Sequence, residues 1–388
     1  MEKKTWSQLL ELIDFALADG TAPEIETEEV WENIYRLSQF HKIQSLIFHA
    51  VQKLPKEQRP PESILKKIQQ AGSLEIARDT VQKAAQMELL TAFEKAGIAV
   101  LPLKGFLIKQ FYPDTSMRMM ADLDILFPVE KEKETEGVLT ALGYVCEHKD
   151  SHHSVYMRHP FMNIEMHYNM IGNDSLLDAY YDNIWERLEL EPGMSYIYRL
   201  KWEDFYIFMI AHLAKHFQSG GSGIRSVIDV QQFLDKMEEK LDWKYIDEEL
   251  RKIELTQFEQ HMKNLTAIWF GGEKETEFYA QLREFIQNSG IYGTLENLGV
   301  QRAVRAGRKG WKGKMQMWLN VIFLPYKEMK MQYPYLLKCP VLLPIAWIQR
   351  FFRIIFLRRK KAKRILSSMN AESDVVKAHQ ELFEKLGF

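Results

Sequence analysis

Cysteine is nearly absent: 388 residues hold only Cys146 and Cys339, far apart and without metal-ligand spacing. No disulfide framework can organise such a chain, and a reducing, cytoplasmic setting is expected. No charge of one sign prevails either, with 51 Lys and Arg against 53 Asp and Glu. Nothing global calls for a polyanion, and DNA is not expected as a partner. Long apolar runs are missing too. The most apolar stretch, Val341 to Leu357, is interrupted by Pro344, Gln349, Arg350 and Arg353, whereas a bilayer span needs about 20 mostly apolar residues. The opening MEKKTWSQLLELIDF carries acids in its first turns and no apolar run, so no signal peptide is expected. Low-complexity segments and internal repeats are also lacking. What remains is a globular composition, 46% hydrophobic and 27% charged, with length enough for two or three domains.

The first hundred residues repeat apolar positions every three or four residues. TWSQLLELIDFALA, EEVWENIYRLSQFHKIQSLIFHAVQKL and ESILKKIQQAGSLEIARDTVQKAAQMELLTAFEKAG are predicted helices. Asp19-Gly20 and the stretch from Pro55 to Pro61 punctuate them. At Gly97 the period changes. IAVLPL reads as a short strand, KGFLIKQFY as a helix, ADLDILF as a strand and KEKETEGVLTALG as a helix; YVCEHK, HSVYMRH and MNIEMHYNM read as three further strands. From about Leu176 the helical period returns, with FYIFMIAHLAKHF and IRSVIDVQQFLDKM separated by QSGGSG. Three regions are expected: helical over 1–97, α/β over 98–190, and helical over 191–388. The strand and helix order implies a small sheet of mixed direction, an α+β fold.

The chemistry concentrates on Asp122-Leu123-Asp124. Two carboxylates two residues apart on a strand point to one side, where both can reach one hard cation. Magnesium takes oxygen ligands and leaves room in its shell for substrate phosphates. Such sites usually draw a third carboxylate from a neighbouring strand. In MNIEMHYNM, alternation places Asn163, Glu165 and His167 on one face and Met162, Ile164, Met166 and Tyr168 on the other. An Asp-x-Asp pair by itself is common, often on a solvated face; the combination is more specific.

LPLKGFLIKQFYPDTSMRMMADLDILFP resembles the signature of the nucleotidyltransferase-like family of the polymerase-beta superfamily, of the bacterial uncharacterised type. In that signature a strand leads into Leu-Lys-Gly, a helix follows, and an Arg precedes an Asp-x-Asp strand. IEMHY is similar to the strand bearing the family's third carboxylate, and HLAKHF…GGSGIRSVIDVQQFL to the helical segment after the core. The resemblance covers about Ala99 to Leu234.

The resemblance implies a small mixed β-sheet nucleotidyltransferase core embedded in a mostly helical protein. It makes Asp122, Asp124 and Glu165 both metal ligands and catalytic residues. Two Mg2+ ions would serve transfer from a nucleoside triphosphate, ATP among them, to an unidentified acceptor. Lys104 and Gly105 stand where the superfamily commonly has Gly-Ser at a helix N-terminus, which suits phosphate. Phe106 follows the glycine, so no hydroxyl lies beside it. Arg118 is the implied clamp on the triphosphate, and His167, His212, His216 and Arg225 join the nucleotide-binding set. Two other readings belong beside this one: a catalytically decayed nucleotide-binding or scaffolding module of a polysaccharide or peptide-modification system, and a toxin-like transferase acting on tRNA or protein.

Several features have plainer readings. His212 and His216 share a helix face, but Leu213 stands where a zinc protease helix has glutamate. Lining a substrate cleft suits them better. QSGGSGIR lacks the preceding strand of a phosphate loop, and Arg225 with Asp229 forms an i, i+4 pair expected to brace its helix. His148, His152, His153, His159 and His167 cluster in sequence, as a transition-metal hydrolase would use, yet their strands are expected to set them on differing faces. WIQRFFRIIFLRRKKAKR is apolar and strongly basic. It suits either peripheral contact with the inner face of the membrane or packing through Trp347, Phe351, Ile354 and Ile355, and packing is the expectation.

Overall fold

The computed structural model describes residues 3–18, 20–25, 27–172, 175–290, 339–357 and 373–388, with 323, 326, 329–330 and 333–337 between. Contacts divide the chain into one unit of Met1–Leu213 with Ile224–Glu275 and another of Ala214–Gly223 with Thr276–Phe388.

In the first unit, α1 (Lys3–Leu17), α2 (Glu28–His41) and α3 (Gln44–Lys53) precede α4 (Glu62–Ala96). The run read as one helix from Glu28 is two. Lys42 takes the left-handed conformation, φ 56° and ψ 45°, and its N–H turns back to the carbonyls of Ser38 and Gln39. That cap ordinarily announces itself with glycine, and lysine gave no such signal. By contrast α4 ends as the sequence indicates: Gly97, φ +67°, closes the helix while Ile98 N–H reaches Phe93 O at 3.1 Å.

The sheet contains β1 (Leu101–Pro102), β2 (Leu123–Leu126), β3 (Val145–Lys149), β4 (His153–Arg158) and β5 (Met162–His167) in the order β1-β2-β5-β4-β3. β2 and β5 are parallel, and the other neighbours are antiparallel. This is the expected small mixed sheet within a largely helical α+β protein. α5 (Lys104–Lys109) lies between β1 and β2, and α6 (Glu132–Ala141) between β2 and β3.

Alternation decides which side of the sheet is dry. Leu123, Ile125 and Phe127 join Met162, Ile164, Met166 and Tyr156 in one core with Ala85, Leu89 and Phe93 of α4 and Leu139 of α6. Hydrophobic burial on that side forces the opposite parity, Asp124, Asn163, Glu165 and His167, onto the other. α8 (Trp202–Gln218), α9 (Ile224–Met237), α10 (Trp243–Lys252) and α11 (Thr256–Phe270) follow the small β6–β7 pair of Glu189–Leu190 and Tyr198–Arg199.

The second unit includes α12 (Glu277–Ser289), α13 (Leu343–Leu357) and α14 (Ser373–Leu386). Phe285 of α12 meets Phe217, His379 and Phe383 edge-on or tilted, and Leu382, Phe383 and Leu386 are buried. The final segment therefore docks through its amphipathic face. On α13, Trp347 and Phe351 are half-buried while Ile345 and Ile348 are exposed. The basic run 358–364 and the side chains of Ile354 and Ile355 lie outside the described residues. Among the described residues no helix is long and apolar enough to cross a membrane.

Ile164 is fully buried at the centre of the sheet core. Truncating it to Ala should cost about 2–5 kcal/mol, read from the midpoint of denaturant unfolding at unchanged slope.

Candidate active site

Parallel pairing of β2 with β5 sets Asp124 opposite Glu165 and Leu126 opposite His167. Asp122 precedes β2 with the parity of Asp124. On the other flank of β5 the antiparallel register sets His153 opposite His167 and Val155 opposite Glu165. The result is a half-buried face of three carboxylates and two imidazoles. His167 Nε2 lies 3.1 Å from Asp124 Oδ1 and 3.6 Å from Glu165 Oε2. One ligand atom each from Asp124, Glu165 and His167 falls within 4.8 Å of the others, close enough for one cation to touch all three. His153 Nε2 is 3.9 Å from Glu165 Oε2, and its ring sits 5.3 Å from that of His167.

Crowding like charges on a half-buried face separates their titrations. Burial, and then the charge of Asp124, pushes Asp122 up to about 6, against the pull of Arg225 and Arg118. Glu165 is raised by burial and by both aspartates. For Asp124 burial works the same way, but the His167 hydrogen bond and charge, with Lys104, outweigh it and hold the carboxyl below its ordinary value. Asp124 is thus the anchor of negative charge, and its neighbours share the strain.

The turn into α5 is fastened to the same strand. Leu103 N–H donates to Asp124 O at 2.8 Å, so Lys104 and Gly105 start α5 directly beside the carboxylates, as the change of period predicted. A Cβ at Gly105 would approach Met120 Sδ to 3.2 Å and Asp122 O to 3.5 Å. The turn therefore packs closely against the approach to β2, and a side chain at this position would require Met120 to shift by a few tenths of an ångström. Lys104 is buried, its Nζ 3.2 Å from His212 Nδ1 on α8. Burial is the main force bringing its ammonium down to about 8, with Asp229 and Asp124 pulling the other way.

Arg118 is placed differently from a free phosphate clamp. It is 4% exposed, and its Nε and Nη2 donate to the two oxygens of Asp229, 1% exposed, at 2.7 and 2.8 Å. Its Nη1 donates to Gly105 O at 3.3 Å, and Tyr112 adds its hydroxyl to Asp229 at 2.8 Å. Asp229, expected to brace α9 through Arg225, has Arg118 as its bidentate partner, and the charge of Arg225 also bears on it. Its side chain faces the interior, where a planar fork fits two carboxylate oxygens. Arg225 donates to Met119 O at 3.1 Å, on the segment leading to Asp122.

The segment between α5 and β2 is pinned from the helical side as well. Asp79 of α4 takes an ion pair from Lys109 at 2.6 Å and a hydroxyl from Thr115 at 2.6 Å. Ser45 of α3 donates to Ser116 O at 2.6 Å, and Gln82 to Met120 O at 3.1 Å. The structure therefore brings Asp124, Glu165 and His167 together and sets the Lys104–Gly105 turn against β2. Arg225 and His212 contact the segments that carry these groups. His216 is one turn further along α8 than His212 and falls in the other unit.

His153 and Asp229 were missed as members of this region. Of the five clustered histidines, expected on differing faces, His153 and His167 share one and are directly paired. His148 and His159 are exposed.

The raised Asp122 has a sign. Its folded pKa of about 6 exceeds the ordinary 3.8, so between those values the native state binds more protons and stability falls as pH rises. Without added metal, Asp122→Asn should therefore be more stable than the parent at pH 8, by on the order of 1–3 kcal/mol. The gain should fade below about pH 4. Thermal melts across pH 4–8 with chelator present check it; an unchanged difference across that range would contradict the burial argument.

A comparison with curated proteins finds none that matches. Among solved structures, the solution structure of the antibiotic-resistance factor ANT(2'')-Ia, reported with substrate-regulated conformation dynamics, aligns over 53% of this chain and 97% of its own at 13% identity. The TM-score is 0.27, too slight a likeness to bear on the site. The profile of the uncharacterised nucleotidyltransferase family matches residues 27–271. That span is well over half the chain and contains every residue of the carboxylate face, the Lys104–Gly105 turn and Asp229. The chain is a member of the uncharacterised nucleotidyltransferase family.

Proposed function

We propose that the protein is a divalent-metal-dependent nucleotidyltransferase moving a nucleotidyl group from a nucleoside triphosphate to an acceptor hydroxyl or phosphate. The observation that carries this is the parallel register of Asp124 with Glu165, with Asp122 of matching parity just before β2. The donor set suits hard cations with several oxygens and open positions for phosphate. Asp122, Asp124 and Glu165 hold the metals in this reading; bound there, two ions help activate an attacking oxygen and stabilise departing pyrophosphate.

The chain's own residues account for the rest. Lys104 and Arg225 bring positive charge to the carboxylate face, where a triphosphate would lie. Backbone at Gly105 leaves room for close approach, and Arg118 holds that turn through Gly105 O. His212 steadies Lys104. At the α-phosphorus, the acceptor oxygen forms the new P–O bond as the bond to pyrophosphate breaks. Glu165, its carboxyl raised by burial and neighbouring aspartates, is the group suited to take the acceptor's proton.

Phe106 in place of a hydroxyl residue beside Gly105 favours a second reading, a nucleotide-binding module without turnover. Incubation with the four triphosphates and Mg2+ or Mn2+, followed by pyrophosphate release and intact-mass and metabolite profiling, separates the two. Turnover is expected, falling at least about 100-fold in Asp124→Asn. Stabilisation by triphosphate and metal with no pyrophosphate would favour the binding module. Turnover unaffected by Asp124→Asn would remove the carboxylate site.

A further inference from the structure

The carboxylate face contains more than hard oxygen donors. We propose that Asp124, Glu165 and His167 form a mixed oxygen and nitrogen site for a divalent transition metal of the Mn2+ or Co2+ class, with His167 Nε2 as a direct ligand. This rests on the metal-dependent reading above but goes beyond it. The oxygen-only set Asp122, Asp124 and Glu165 suits Mg2+ as well as Mn2+, whereas a set that includes His167 shifts the balance toward a transition metal.

The geometry favours the imidazole as ligand. Nε2 of His167 is the ring atom turned to both carboxylates, 3.1 Å from Asp124 Oδ1 and 3.6 Å from Glu165 Oε2. The three donor atoms lie within 4.8 Å of one another, with no backbone rearrangement needed to bring them together. β5 fixes two of them by simple alternation, Glu165 and His167, and the parallel register supplies the third from β2. A neutral ring with its proton on Nδ1 offers Nε2 as ligand in place of the hydrogen bond to Asp124 made without metal.

Ligand chemistry then sets the metal class. Mg2+ favours oxygen and keeps much of its water shell, so an imidazole brings it little. Mn2+, Co2+ and their neighbours accept nitrogen together with carboxylate, with affinity rising along that series. His153 fits the same scheme one layer out. Its Nε2 is 3.9 Å from Glu165 Oε2, beyond hydrogen-bond distance but near enough for its charge to bear on a ligating carboxylate without binding the ion itself.

The test is made on the full chain without nucleotide, so that it reads metal binding and not turnover. Mn2+ is titrated and followed by electron paramagnetic resonance, with pulsed detection of 14N coupling from a directly bound imidazole. Coupling is expected in the parent and in His153→Gln and absent in His167→Gln. Mn2+ affinity in His167→Gln should fall about tenfold or more, since even outer-shell partners of a ligand are worth 10–100-fold, while Mg2+ binding by competition stays within about twofold. Matching melting curves for His167→Gln and the parent establish that the variant is folded; if it is not, His167→Asn takes its place. Mn2+ binding without 14N coupling, coupling that survives in His167→Gln, or equal loss of Mg2+ and Mn2+ would each overturn the proposal. Failure of the transferase reading looks different: coupling present and dependent on His167, but no pyrophosphate released with any triphosphate.

Discussion

β2 and β5 run side by side in the same direction, and that pairing concentrates negative charge. It places Asp124 level with Glu165 and brings Asp122 of matching parity to the same side. The opposite parity of both strands is buried in the core with α4 and α6, so neither strand can rotate or slip by one residue without exposing it. Hydrophobic burial on one side of the sheet thus forces three carboxylates to share the other. The mutual repulsion shows in Asp122 and Glu165, both raised, and is relieved at Asp124 by His167 and Lys104.

Much of the surrounding structure manages this charge. Lys104, Arg118 and Arg225 all bear electrostatically on the aspartates. They are themselves held by His212, Asp229 and a backbone carbonyl. A fully buried pair such as Arg118 and Asp229 is weak evidence for net stability, because desolvation offsets the attraction. Its value lies in position. Bidentate bonding, the Tyr112 hydroxyl and the contact to Gly105 O join α9, the start of α5 and the approach to β2 in one fixed arrangement. From the other side, α4 contributes Asp79 and Gln82 to the same segment. Precision of this kind is what a transfer reaction asks of its scaffold.

Family membership carries the general activity, and the turn into α5 has its own chemistry. Phe106 leaves no hydroxyl beside the turn glycine. Lys104, buried and lowered toward neutrality, brings a cation to that turn. Two imidazoles border the carboxylates, which is uncommon company for a purely magnesium site. A fold alone does not name the acceptor.

The period of the sequence determined a good deal. Alternation along ADLDILF and MNIEMHYNM set Asp122, Asp124, Glu165 and His167 on the wet faces of their strands, because side-chain direction in a strand follows from parity alone. The switch of period at Gly97, and the start of α5 at Lys104, were legible for the same local reason. Partners across the fold were not. Lys42 in a left-handed cap divides α2 from α3 without a glycine to announce it. His153 could be paired with His167 only once the β4–β5 register was fixed, since a one-residue slip would turn it to the opposite face. Asp229 looked like the i+4 neighbour of Arg225, yet its bidentate partner is Arg118, which reaches it from the segment before β2. Local pattern decides which way a side chain points, and only the packed chain decides what it meets.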